Sequence, residues 1–140
     1  MKKKRLKVDD ADIRDKARLY SIASSESDIR ICYILNQILD IDLSLAEDIV
    51  IQNKNMVLNF RNYYYESDHG TEKYYLIINR NDNNFLFPEL KKVDYIFMTI
   101  ADTIISGMES SIQKIKSQAG ISAIIPIESS KIKSFNKIKL

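Results

Sequence analysis

Ile31, Ile34, Leu35, Ile38 and Leu39 fall at i, i+3, i+4, i+7 and i+8, a spacing that gathers them on one stripe of an α-helix. A second stripe, Ile104, Met108, Ile112 and Ile115, comes much later in the chain. Elsewhere the apolar residues alternate with polar ones or form short runs, as strands require. Two helices separated and flanked by strands restrict the chain to a layered α+β arrangement. The 140 residues include 45% apolar and 29% charged side chains, which fits one globular domain over residues 1–140 with short basic ends.

The spacing predicts a first helix over residues 25–39, entered from a strand over 18–23, with Ser24 and Ser25 available to accept from the amides of its first turn. Ser25 and Asp28 have the spacing of a capping box. Residues 40–52 read as a helical turn followed by an extended stretch. Residues 56–65 and 73–80 read as two strands of a hairpin around the turn residues Ser67, Asp68, His69 and Gly70. Residues 93–101 form a more continuously apolar strand suited to the middle of a sheet. A second helix over 103–118 ends ahead of Gly120, and a final strand over 121–127 contains Pro126, which confines it to an edge or a bulge. Residues 5–8 are a further short strand candidate. The expected fold is therefore α+β, a mostly antiparallel sheet of about five strands with two helices on one face, in a variant of the ferredoxin-like arrangement.

Residues 1–8 carry five basic groups and residues 129–140 four, with no acid in either, so the ends hold +9 and, against a net charge of +2, the body holds about −7. Such ends either attract polyanions or dock on the acidic body. The apolar runs are far shorter than the roughly 20 residues that cross a bilayer, so no membrane association is expected. Lys7, Asp9, Asp10 and Asp12 stand where a signal peptide would be apolar, and a cytoplasmic location is the expectation. Cys32, the single cysteine, rules out an internal disulfide.

From Phe87 through Pro88, Glu89, Leu90, Lys91, Lys92, Val93, Asp94 and Tyr95 the chain resembles the signature of the bacterial IPExxxVDY family, with Phe87 where that family has Ile. The segment Ser24-Ser25-Glu26-Ser27-Asp28-Ile29-Arg30 with Leu35-Asn36 resembles that family's helix start, and residues 127–140 its lysine-rich ending. The resemblance covers most of the chain and implies no reaction, cofactor or catalytic residue. Physically the motif is a shaped strand entry. Pro88 biases Phe87 toward an extended conformation, Glu89 can accept from amides of the following turn, and Val93, Asp94 and Tyr95 lead into the core strand.

Catalytic chemistry finds little material. His69, the only histidine, sits among turn residues, and Cys32 borders the apolar stripe as a small core residue would. Asp9, Asp10, Asp12 and Asp15 lack the glycine and terminal glutamate of a calcium loop, and the three glycines do not form a phosphate loop. No metal, cofactor or catalytic residue is expected. The remaining candidates are Arg61, Tyr63 and Tyr65, at alternate positions of one strand, with Tyr75 opposite them on the hairpin. Such a face could stack RNA bases, the basic ends supplying phosphate contacts, or could anchor a protein. The expectation is a non-enzymatic interaction module binding a protein partner or forming a homodimer, with RNA binding second and an enzyme last.

Overall fold

The computed structural model describes residues 16–53, 55–133 and 135. The main sheet uses β1 (Ala17–Ser24), β2 (Ser44–Leu45), β5 (Asn62–Glu66), β6 (Glu72–Ile78), β9 (Tyr95–Ala101) and β10 (Ile121–Ile127), in the order β10-β1-β9-β6-β5-β2. Every neighbouring pair is antiparallel. The helices are α1 (Asp28–Leu39) and α2 (Met108–Lys116). Two further two-stranded ribbons pair β3 (Ile49–Asn53) with β4 (Met56–Phe60), and β7 (Arg80–Asn81) with β8 (Asn84–Phe85). The α+β expectation holds: β9 is central, and β10, with its proline, is an edge. The candidate strand at 5–8 lies outside the described residues.

Strand parity explains the part of the chain that the sequence left vague. From β1 to β5 there are three antiparallel steps, through β9 and β6, so β5 runs opposite to β1. The chain leaves β1 at one end of the sheet, α1 carries it to the other, and β5 begins back at the first end. The return is made along the outer side of β5 by β2, where Leu45 stands opposite Tyr63 and Ser44 opposite Tyr64. The inserted β3-β4 ribbon then turns the chain into β5.

Both faces of the sheet are covered. Under the helices lie Ile22, Ile31, Leu35, Tyr63, Leu76, Phe97, Ile112 and Ile115. On the other face, Leu19, Ile77, Ile96 and Met98 are covered by Ile49, Ile51 and Phe60 of the ribbon, by Leu86 and Phe87, and by Ile132 and Phe135. Phe87 stacks on Phe135 with ring centroids 6.2 Å apart.

Three expected boundaries move. The first helix starts at Asp28 rather than residue 25, because Ser27 is the cap, its hydroxyl accepting from the Arg30 amide at 3.2 Å; Ser24 instead accepts from the Glu26 amide. The second helix starts at Met108, after Gly107 in a left-handed conformation at φ 77°, and Ile104 is 78% exposed rather than part of its buried stripe. The expected strand over 56–65 is two strands that part at Arg61, β4 pairing in the ribbon and β5 in the main sheet.

The second core carries weight comparable to the first. Phe87→Ala should destabilise the protein by about 3 to 5 kcal/mol and Leu35→Ala by about 2 to 5 kcal/mol, while the exposed Gln37→Ala should stay within about 0.5 kcal/mol. Urea titration checks this, and a Phe87→Ala cost no larger than that of Gln37→Ala would contradict it.

Candidate interaction surface

The end of the sheet where β1 runs into α1 is held by side-chain hydrogen bonds that join three segments of the chain. The Ser24 amide donates to Asp94 Oδ2 at 3.0 Å, the Tyr95 hydroxyl donates to the Glu26 carbonyl, and the Ser24 hydroxyl donates to the Gly120 carbonyl. The motif 87–95 and the helix-start segment 24–30 are thus bonded to each other. Burial, with Asp28, Asp94 and Glu26 nearby, pushes the Tyr95 hydroxyl up to about 12, so it stays a donor. Fully buried Asn79 closes the motif into a loop: its Nδ2 donates to the carbonyls of Leu90 and Val93 at 2.8 and 2.9 Å, and its Oδ1 accepts from the Phe87 amide at 3.0 Å. Phe87 is extended, as a residue before proline should be, and Pro88 opens a 3-10 turn, Pro88–Leu90, on which Pro88 and Glu89 are exposed. Sequence reading missed Asn79; its one trace is an amide side chain where an apolar strand gives way to a polar loop.

Asp28 forms a second junction. Its Oδ2 accepts from Tyr63 at 2.7 Å and from Arg61 at 2.9 Å, tying the start of α1 to the start of β5. Burial opposes its ionisation, but the bonds from Tyr63, Arg61 and the Ile29 amide outweigh it and hold the carboxyl below its usual value. Burial and the bond to Asp28 push the Tyr63 hydroxyl up to about 12. Cys32 is buried, and burial, with Asp28 adding to it, pushes its thiol up to about 12, where it is a poor nucleophile. His69 is exposed in its turn.

The expected tyrosine face does not form. The register sets Tyr64 opposite Tyr75 and Tyr65 opposite Tyr74, so Tyr75 belongs to the face away from the helices while Tyr63 and Tyr65 belong to the helix face. Their rings pair accordingly, Tyr64 with Tyr75 at 4.9 Å and Tyr65 with Tyr74 at 5.8 Å. Tyr63 and Tyr75 are each 8% exposed, and Arg61 precedes the strand and turns to Asp28. A one-residue difference in register is enough to move a side chain to the opposite face. Asp9, Asp10, Asp12 and Asp15 lie outside the described residues; among those described, no three His, Cys, Asp or Glu are grouped to hold a metal. Among them, too, no helix is long and apolar enough to cross a membrane.

Of the exposed large apolar groups, three lie on α1 and β2, while Val50, Met56 and Val57 lie on the β3-β4 ribbon. Ile29 and Tyr33, 71% and 54% exposed, lie one turn apart on α1, and Asn36 continues the same flank. Arg30 stacks over the Tyr33 ring at 5.4 Å. Asn36 reaches β2: its Oδ1 accepts from the Leu43 amide at 2.8 Å and its Nδ2 donates to the Leu43 carbonyl at 3.3 Å. Two residues on, Leu45 is 62% exposed. It borders a cleft of about 750 Å³ that is also lined by Asp28, Asp48, Arg61, Arg80 and Tyr95. No protein-family model matches the chain, and no curated protein matches it.

The Asp28 junction sets an acid limb of stability. Its folded value lies below the ordinary 3.8, so its contribution is complete at neutral pH and is lost as the pH falls through the carboxylate range. Tyr63→Phe should cost about 1 to 2 kcal/mol at neutral pH. Urea melts of wild type and Asp28→Asn should differ at pH 7 and converge toward pH 3; an equal difference at both would contradict the assignment.

Proposed function

We propose that the chain is a member of the IPExxxVDY family it resembles, that it acts as a cytoplasmic, non-enzymatic protein-interaction module, and that its contact surface is the exposed flank of α1 together with the β2 edge. The observation that carries the reading is that exposed Ile29 and Tyr33 lie on the flank of α1 that Asn36 joins to β2, an open sheet edge on which Leu45 is exposed as well. Tyrosine with a neighbouring arginine is the residue chemistry that anchors protein interfaces. The groups that could have suggested catalysis are occupied internally. Asp28 binds Arg61 and Tyr63, Asp94 binds the Ser24 amide, and the Cys32 thiol is buried and protonated. The burial of Tyr63 and Tyr75 removes the platform on which the RNA reading rested.

A photo-crosslinking residue placed at position 33, and separately at position 69 as a control, tests the proposal in cells expressing the full chain. Position 33 should give nuclease-resistant protein adducts well above those at position 69. Adducts that vanish with nuclease, or none above the control, would overturn it.

A further inference from the structure

The open edge of the sheet has an unusual restriction on it. In an antiparallel pair, residues alternate between those that bond to the neighbouring strand and those whose N–H and C=O point away from it. The Ala46 amide donates to the Asn62 carbonyl across from it, so Ala46 and, two residues earlier, Ser44 bond inward to β5. Leu43 and Leu45 therefore direct their N–H and C=O outward. The outward pair of Leu43 is the one that the Asn36 side chain occupies, taking the place of a neighbouring strand. Among the described residues, β2 is the last strand on that side. Leu45 is left as the position at which another strand can join.

We propose that the strand that joins is the same strand of a second copy of this chain, with Leu45 paired to the partner's Leu45 across a two-fold axis. The inference rests on the interaction-module reading and names its partner. A residue on a two-fold axis in an antiparallel pair exchanges both of its backbone bonds with its own image, so one outward N–H and one outward C=O suffice for a self-complementary contact. Asn36 closes the register on one side, because a pairing shifted toward Leu43 would need the outward groups that Asn36 occupies. Leu45 stands opposite Tyr63, whose side chain lies under the helices, so the Leu45 side chain projects on the helix face, toward the α1 flank that carries Ile29 and Tyr33. The two-fold brings the two copies of these three apolar groups together on that face, and two six-stranded sheets become one. Exposed Asp42, Glu47 and Asp48 flank the open position, and their repulsion across the axis limits the strand contact to its centre. Added salt therefore strengthens the dimer.

The full chain carrying Leu45→Cys tests the pairing directly. Directly opposed, hydrogen-bonded residues have Cα atoms about 5.5 Å apart, within disulfide reach. Under mild oxidation Leu45→Cys should form a covalent dimer at least about ten-fold faster than Ser44→Cys, whose image lies farther away, or than the wild type with its buried Cys32. Sedimentation equilibrium of the wild type should show a reversible dimer that tightens with salt, and Tyr33→Ser should weaken it by about ten-fold or more with the circular dichroism spectrum unchanged. A wild type that stays monomeric at about 1 mM, or Leu45→Cys linking no faster than Ser44→Cys, would overturn the proposal. If position 33 still captures other proteins in that case, the interaction-module reading stands and only the second copy is excluded; if it captures none, both fail.

Discussion

Two hydrogen bonds from the Asn36 side chain to the backbone of Leu43 hold together the part of this fold that departs from a simple helix-covered sheet. Three antiparallel steps separate β1 from β5, so the chain emerging from α1 is at the wrong end of the sheet and must travel back along an edge. An isolated edge strand of two residues has little backbone bonding of its own. Asn36 adds a donor and an acceptor from the helix that has just ended, each contributing about 1 kcal/mol, and fixes the point at which the return begins. Once the return strand is fixed, Leu45 faces outward, and the position of the open edge is a consequence of the same pair of bonds.

The opposite corner is fixed by a different device. Asp94 and Tyr95 reach across to the backbone of Ser24 and Glu26, while Asn79 draws the carbonyls of Leu90 and Val93 and the amide of Phe87 around itself. This seats Phe87 in the second core against Phe135. The motif is in this way a joint between the two cores: its first residue packs on one face of the sheet, its last on the other. An aromatic at position 87 is suited to that place, because a fully buried ring supplies a large apolar contact to the second core.

The layered class, the two helical stripes, the central strand over 93–101 and the edge strand with Pro126 were legible because each is written as local periodicity or as a proline constraint. The division at Arg61 was not. Phe60 and Tyr64 face one core while Tyr63 and Tyr65 face the other, so a period of two passes through the change of sheet without interruption. The candidate tyrosine face failed for a related reason: alternation within one strand can be read from sequence, but whether Tyr75 falls opposite Tyr64 or Tyr65 depends on hairpin register. Ile104 was misplaced because helical spacing extends past Gly107, whose left-handed backbone starts the helix later. Ile29 and Tyr33 fall outside the apolar stripe of the first helix, so their exposure is written in the spacing, whereas nothing in the sequence sets Leu45 apart from a core residue.

Amide hydrogen exchange at Leu43 and Leu45, followed over a range of protein concentrations, bears most directly on the role of this edge. The Leu43 amide, bonded to Asn36 within one chain, should be protected equally at every concentration, whereas protection of the Leu45 amide should rise with concentration as it pairs with its image. A Leu45 amide that exchanges at the same rate from the most dilute to the most concentrated sample would contradict this pairing.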